Sequence, residues 1–175
     1  MPLARFQRVI EQLKAWKGAK LKVLKLSLYG EPLINPDFCE MLKIAWEADI
    51  AERIETTTNA SLLTRDIAEK MVQYQLDYAR ISIYAAEQEK HKTITGSGMD
   101  IRTIHENLRI LREVKKQKES ERPFVSPKML DAYNSENDQF IQMYQDVADE
   151  IYIDKSHSWI KTDGVDFMKN YYQDD

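Results

Sequence analysis

Leu24-Lys25-Leu26-Ser27-Leu28-Tyr29-Gly30-Glu31-Pro32-Leu33 decides how the rest of this chain is read. A β-prone run meets a glycine, a carboxylate and a proline at three successive positions, so the chain must turn there. Gly30 can take positive φ or admit a ligand close to the backbone, and Pro32 fixes the exit direction. Glu31 sits between them with its carboxylate at the C-terminal end of the strand. In parallel α/β proteins ligands bind at that end. From the residues alone Glu31 has two readings, an acceptor for a ligand or a cap for a helix starting near Pro36.

Working outward, Leu3, Phe6, Val9, Ile10, Leu13 and Trp16 recur at helical spacing with Gly18 beyond them, which predicts an amphipathic helix over residues 3–17. Residues 21–29 are the first strand. Asn35-Pro36 supplies an N-cap and a first-turn proline for a helix ending near Ala48. Arg53 to Thr58, rich in threonine, is a second strand ending in a turn at Asn59. Thr64 caps a helix with Ile67, Ala68, Met71 and Val72 on its buried stripe, and Tyr78 to Tyr84 is a third strand. A polar loop containing His91, Gly96 and Gly98 follows. Asp100 then caps a long helix with Ile101, Ile104, Leu108 and Leu111 on one face, and Lys115, Lys116 and Lys118 crowd its C-terminal end, where the helix dipole favours cations. Phe124 to Leu130 is a fourth strand whose Pro127 suggests an edge or a bulge. Ser135 with Asp138 caps a last helix, and Glu150 to Asp154 is a fifth strand.

Strands alternating with helices predict right-handed βαβ crossovers and a parallel sheet of about five strands, an α/β architecture. No internal repeat or low-complexity segment breaks the alternation. Residues 1–160 read as one domain, and 161–175 as a polar tail or linker.

Composition narrows the function classes. At 175 residues with 43% hydrophobic residues, five Gly and five Pro, the chain can bury a globular core. A net charge of −4 gives no electrostatic reason to expect nucleic acid or an anionic membrane as partner. No apolar run reaches the roughly 18 residues of a membrane span, and Arg5, Arg8, Glu11, Lys14 and Lys17 make the first segment unlike a signal peptide, so a cytoplasmic protein is expected. The single Cys39 reads as a packed or idle thiol. His91, His105 and His157 lack metal-ligand spacing, and no nucleophile elbow or phosphate-binding glycine loop is present.

The succession of Gly30-Glu31-Pro32-Leu33 after one strand, Thr58-Asn59-Ala60 after the next and Ile81-Ser82-Ile83-Tyr84 on a third resembles the radical S-adenosylmethionine (radical SAM) enzymes. That resemblance implies a partial (β/α) barrel. It also places the Gly-Glu-Pro segment against the amino group of the methionine moiety of S-adenosylmethionine and the polar residue of the Ile-Ser-Ile strand against the ribose. Two positions depart from the family pattern: Ala60 stands where Thr-Asn-Gly is usual, and Tyr84 where an Asp is frequent. His91-Lys92-Thr93-Ile94-Thr95-Gly96 and Asn107-Leu108 are similar to the family's next loop and helix. Val125-Ser126-Pro127-Lys128-Met129 resembles the fifth barrel strand of members with a C-terminal auxiliary-cluster (SPASM-like) domain, and Asp149 to Ile153 with Trp159 resembles the sixth.

The cofactor-binding residues the resemblance implies are Gly30, Glu31, Pro32, Asn59, Ser82 and Lys128. Physical chemistry allows this, since a zwitterionic aminocarboxylate needs an anionic acceptor for its ammonium and a ribose needs short polar groups. Each residue also has a plain structural reading: Asn59 as a turn residue, Ser82 in a local hydrogen bond, Lys128 as a solvated edge residue. The family's chemistry starts from a four-iron four-sulfur cluster held by three thiolates in C-x-x-x-C-x-x-C, whereas this sequence has one cysteine. The expectation is a barrel core truncated at both ends, without its first strand and cluster loop, and inactive as it stands. Alternatives are a non-catalytic α/β binding module built on the same barrel, or an unrelated small α/β enzyme. Residues 21–29, lacking a neighbour, would be an exposed apolar edge that favours a homodimer, and the substrate stays unknown.

Overall fold

A computed structural model describes residues 1–16 and 18–155. Trp159, His157 and the tail expected over 161–175 lie outside the described residues. Five parallel strands form one sheet in the order β1 Leu24–Lys25, β2 Ile54–Thr58, β3 Tyr78–Ser82, β4 Phe124–Leu130 and β5 Tyr152–Asp154. Because each strand pairs with the next in sequence, right-handed crossovers put the connecting helices on the same face. The sheet therefore follows the winding of a barrel wall, as expected from the sequence.

The helices are α1 Leu3–Ala15, α2 Phe38–Ala48, α3 Arg65–Gln73, α4 Gln88–Thr95, α5 Ile101–Gln117 and α6 Glu136–Tyr144. α1 packs on α2, α2 on α3 and α3 on α5. Their apolar faces share one core with the sheet, in which Leu42, Leu76, Ile104, Leu108, Phe140 and Tyr144 are fully buried. Along β3 the buried Ala79 and Ile81 alternate with half-buried Tyr78, Arg80 and Ser82, the period of two that gives a strand a core face and an open face. Thr64 and Asp100 cap α3 and α5 as predicted, each accepting a backbone N–H of the first turn.

Several expectations need correction. The first strand is two residues long rather than spanning 21–29. Past Leu26, whose N–H still reaches the Glu55 carbonyl, the next N–H of β2, on Thr57, donates to the Ser27 hydroxyl (2.8 Å) instead of to a backbone carbonyl, so the ladder is taken over by a side chain. The segment expected to be a polar loop holds α4, ended by Gly96 at φ +64°. Asn35-Pro36 precedes α2 as a turn, with Asn35 Oδ1 accepting from Asp37 N (3.1 Å), and the helix starts at Phe38. Ser135 makes no side-chain cap; Asn134 Oδ1 accepts from Glu136 N (2.8 Å) instead. Glu150 and Ile151 stand outside β5.

Pro127 sits in an interior strand, not at an edge. Val125, two residues earlier and so facing the same neighbour, bonds to Asp149 through both its N–H and its carbonyl. Pro127 therefore turns its missing donor toward β5, whose ladder starts only at Lys128.

Candidate functional site

Gly30 adopts φ +76°, the left-handed conformation a side chain would strain, and with it the chain leaves β1 and carries Glu31 back over the end of β2. Glu31 Oε1 accepts from Leu33 N (3.0 Å), capping the short 3-10 turn Pro32–Ile34, and from Thr58 Oγ1 (2.5 Å); Oε2 accepts from Asn59 N (2.7 Å). Glu31 thus caps a turn, though the 3-10 turn Pro32–Ile34 and not a helix starting near Pro36, and it ties together two strand ends. An ionised carboxylate has about four lone-pair sites, of which three are taken here, so Oε2 keeps one for a further donor.

The Thr58-Asn59-Ala60 turn stays in register with this clamp. Ala60 takes φ +57°, the conformation a glycine would adopt at no steric cost, so the position that departs from Thr-Asn-Gly is one where the backbone favours glycine. Two side chains hold it there: Thr58 Oγ1 accepts from Ala60 N (2.9 Å), and Asn107 Nδ2 on α5 donates to the Ala60 carbonyl (2.8 Å). Asn59 also closes its own turn through Oδ1, which accepts from Ser61 N (2.9 Å).

These strand ends open onto one cavity of about 620 Å³, within the range of cofactor pockets. Its walls are the β1 exit (Leu28, Tyr29, Gly30, Glu31), the β2 end (Thr57, Thr58, Asn59), the β3 end (Ser82, Tyr84) and α4 with the turn after it (His91, Ile94, Thr95, Ser97, Met99). Of the six residues implied by the resemblance, Gly30, Glu31, Asn59 and Ser82 line it. Pro32 starts the 3-10 turn behind Glu31. Lys128, in register with Ser82 on β4, is ion-paired to Asp154 and lies outside the lining. The α4 residues escaped sequence reading because one turn-rich, polar segment carries few apolar positions; Gly96 as a C-terminal stop was the available signal.

α4 is bolted in place rather than held by its own apolar face. Buried Glu136, at the start of α6, accepts from Ala86 N (3.0 Å) and from Lys90 Nζ. Gln88 spans to the start of α5, donating to the Met99 carbonyl (3.0 Å) and accepting from Ile101 N (2.9 Å). The result seats His91, 1% exposed, in the cavity wall. Burial pushes its imidazole pKa below the ordinary 6.5. Below 6.5 the unfolded chain therefore takes up a proton that the folded chain resists, so stability present above that pH is lost as the pH falls. A urea titration at pH 7.5 and 5.5 should show a smaller loss in a His91→Phe variant than in the parent chain.

A family model described as the Radical SAM superfamily matches residues 1–125. The chain belongs to the radical SAM superfamily. It is 32% identical over 91 residues to the uncharacterized protein MJ0804 of Methanocaldococcus jannaschii, covering 51% of this chain and 30% of that protein. Its fold is similar to Streptococcus suis SuiB, at a TM-score of 0.69 and 15% identity over 92% of this chain and 35% of SuiB, alone or bound to S-adenosylmethionine. SuiB bound to the precursor peptide SuiA matches at a TM-score of 0.68 and 16% identity, covering 90% of this chain and 33% of that one. The chain thus spans about a third of the length of these relatives. Among the described residues no helix is long and apolar enough to cross a membrane.

Proposed function

We propose that this chain is a core portion of a radical SAM enzyme and binds S-adenosylmethionine in the cavity at the C-terminal ends of β1, β2 and β3. The Glu31 clamp carries this reading: one carboxylate joins two strand ends and keeps an open acceptor site toward a cavity that Asn59 and Ser82 also line. The methionine ammonium would meet Glu31, and the ribose hydroxyls Ser82 and Asn59. Pro32 would set the direction of the Glu31 turn from behind. Lys128 would bear on the ligand only through its neighbour Ser82, or after leaving Asp154.

In this family S-adenosylmethionine is cleaved reductively with an electron from a four-iron four-sulfur cluster held by three thiolates. The residues of this chain do not fit that cluster. Cys39 is the one thiol in the sequence, it is half-buried on α2, and burial raises its pKa, which opposes the thiolate form a metal needs. Among the described residues no group of three or more His, Cys, Asp or Glu is placed to hold a metal. We therefore read the chain by itself as a binding scaffold, inactive in radical generation, in a cytoplasmic protein whose substrate the site does not name.

Titration calorimetry of the chain with S-adenosylmethionine tests the binding; no heat of binding at millimolar ligand refutes it. A stable iron–sulfur absorbance band after anaerobic reconstitution refutes the inactivity.

The β1 edge supports a homodimer. Leu28 and Tyr29, 87% and 93% exposed, follow the outermost strand, and an unpaired edge flanked by large apolar side chains invites a second copy. Light scattering at high micromolar concentration should give twice the chain mass, and Leu28→Lys with Tyr29→Lys should return it to a monomer; a monomeric parent chain refutes the pairing.

A further inference from the structure

Three buried side-chain atoms lack a hydrogen-bond partner among the described residues: Thr56 Oγ1, Ser126 Oγ and His91 Nδ1. Of these residues only His91 lines the cavity. Its backbone is fully engaged, with N–H to the Glu87 carbonyl (2.9 Å) and its carbonyl receiving the Thr95 hydroxyl (2.7 Å), but the buried Nδ1 has no partner among the described residues. Leaving a buried donor or acceptor unmatched costs about 1–3 kcal/mol, so an imidazole in this position calls for a partner the described residues do not supply.

The cavity is chemically two-ended. Glu31, Thr58 and Asn59 make one end polar and anionic, suited to an ammonium. Tyr84, His91, Ile94 and Met99, with the short polar Ser82, Thr95 and Ser97 between them, give the β3 and α4 wall uncharged flat and apolar surface, suited to a neutral nucleoside. Tyr84 is the loose part of that wall. The residue is 45% exposed and meets the imidazole edge-on, with centroids 6.2 Å apart, which makes it a half-exposed neighbour of the ring. We infer that His91 is a specificity-determining contact for the nucleoside half of the ligand, reached when Tyr84 moves aside, its imidazole making with the ligand the hydrogen bond that Nδ1 lacks among the described residues. This rests on the reading of the cavity as an S-adenosylmethionine site.

The test compares the parent chain with His91→Phe, which keeps a flat ring and removes both nitrogens. It uses calorimetry at pH 7.5 with S-adenosylhomocysteine and 5′-methylthioadenosine, and thermal unfolding without ligand. The expected result is a ligand-free melting temperature equal to or above the parent's, since an unmatched polar group has been replaced by an apolar one of similar shape. Affinity should fall about tenfold, by the same factor for both ligands, the size of one hydrogen bond's loss. A lower melting temperature in a folded variant shows that the nitrogens serve the fold and overturns the inference, as does unchanged affinity. A loss confined to S-adenosylhomocysteine moves the contact to the amino-acid end and overturns it too. If the parent chain binds neither ligand, the site reading itself fails and takes this inference with it. Should His91→Phe fail to fold, His91→Leu, which also lacks both nitrogens, decides: a similar fall in affinity for both ligands supports the contact, and unchanged affinity overturns it.

Discussion

Glu31→Ala is expected to weaken S-adenosylmethionine binding by about 100-fold, or about 2.7 kcal/mol, and to lower stability by about 2 kcal/mol. Two separate losses combine. The ligand ammonium loses the one anionic acceptor that the described residues place on the cavity wall, and Thr58 Oγ1 and Asn59 N lose the carboxylate that holds the β2 end against the β1 exit. Because the site is half-buried, water takes over part of the vacated bonding, which keeps the stability cost below the sum of three charge-assisted hydrogen bonds. Glu31→Gln separates the terms. It is neutral, so it forfeits the ammonium attraction, yet its amide oxygen can still accept from Leu33 N and Thr58 Oγ1 at the Oε1 position; only the Asn59 N–H then faces a donor. Calorimetry and chemical denaturation on both variants should therefore show similar affinity losses and a smaller stability loss for Gln. Affinity unchanged in Glu31→Ala would remove Glu31 from the site.

Glu136→Ala should cost about 3 kcal/mol of stability and loosen the nucleoside end of the cavity without touching any ligand. Glu136 is 6% exposed, and its carboxylate is the acceptor for both Ala86 N and Lys90 Nζ. Removing it strands a buried N–H just before α4 and leaves Lys90 without its ion-pair partner. Lys90 is 44% exposed and can turn to water, so the cost falls at the low end for a broken buried pair. The consequence is specific to place: α4 should exchange its amide protons faster than α5, and nucleoside affinity should fall. Hydrogen exchange followed by mass spectrometry checks it, and α4 protection unchanged in Glu136→Ala would show that Gln88 and local packing hold the helix alone.

The parallel α/β architecture was legible because local patterns carry it. Apolar spacing of three and four marked α1, α3 and α5, alternating or threonine-rich runs marked β2, β3 and β4, and Thr64 and Asp100 announced helix starts they do cap. Three of the failures come from contacts between residues far apart in sequence. β1 ends early because a serine side chain from one strand replaces a backbone acceptor for the other, a bond between residues thirty positions apart. Pro127 looked like an edge marker, yet it is tolerated inside the sheet because the β5 ladder begins one residue later. α4 was hidden because its seat is made by Glu136 and Gln88 rather than by an apolar stripe of its own.

Gly30, Glu31, Asn59 and Ser82 could be picked out as candidates from their positions at strand ends, since a residue's place on a strand follows from nearest neighbours along the chain. That they surround one cavity, that Pro32 and Lys128 stand outside it, and that Tyr84 and His91 close its far wall came only from folding. Those relations join residues 27 to 50 positions apart through single hydrogen bonds, such as Glu31 to Thr58 and Glu136 to Ala86. No periodicity encodes such a pairing: a carboxylate's partner is whichever donor the packed chain brings within about 3 Å, and that is known only once the crossovers have set the strands side by side.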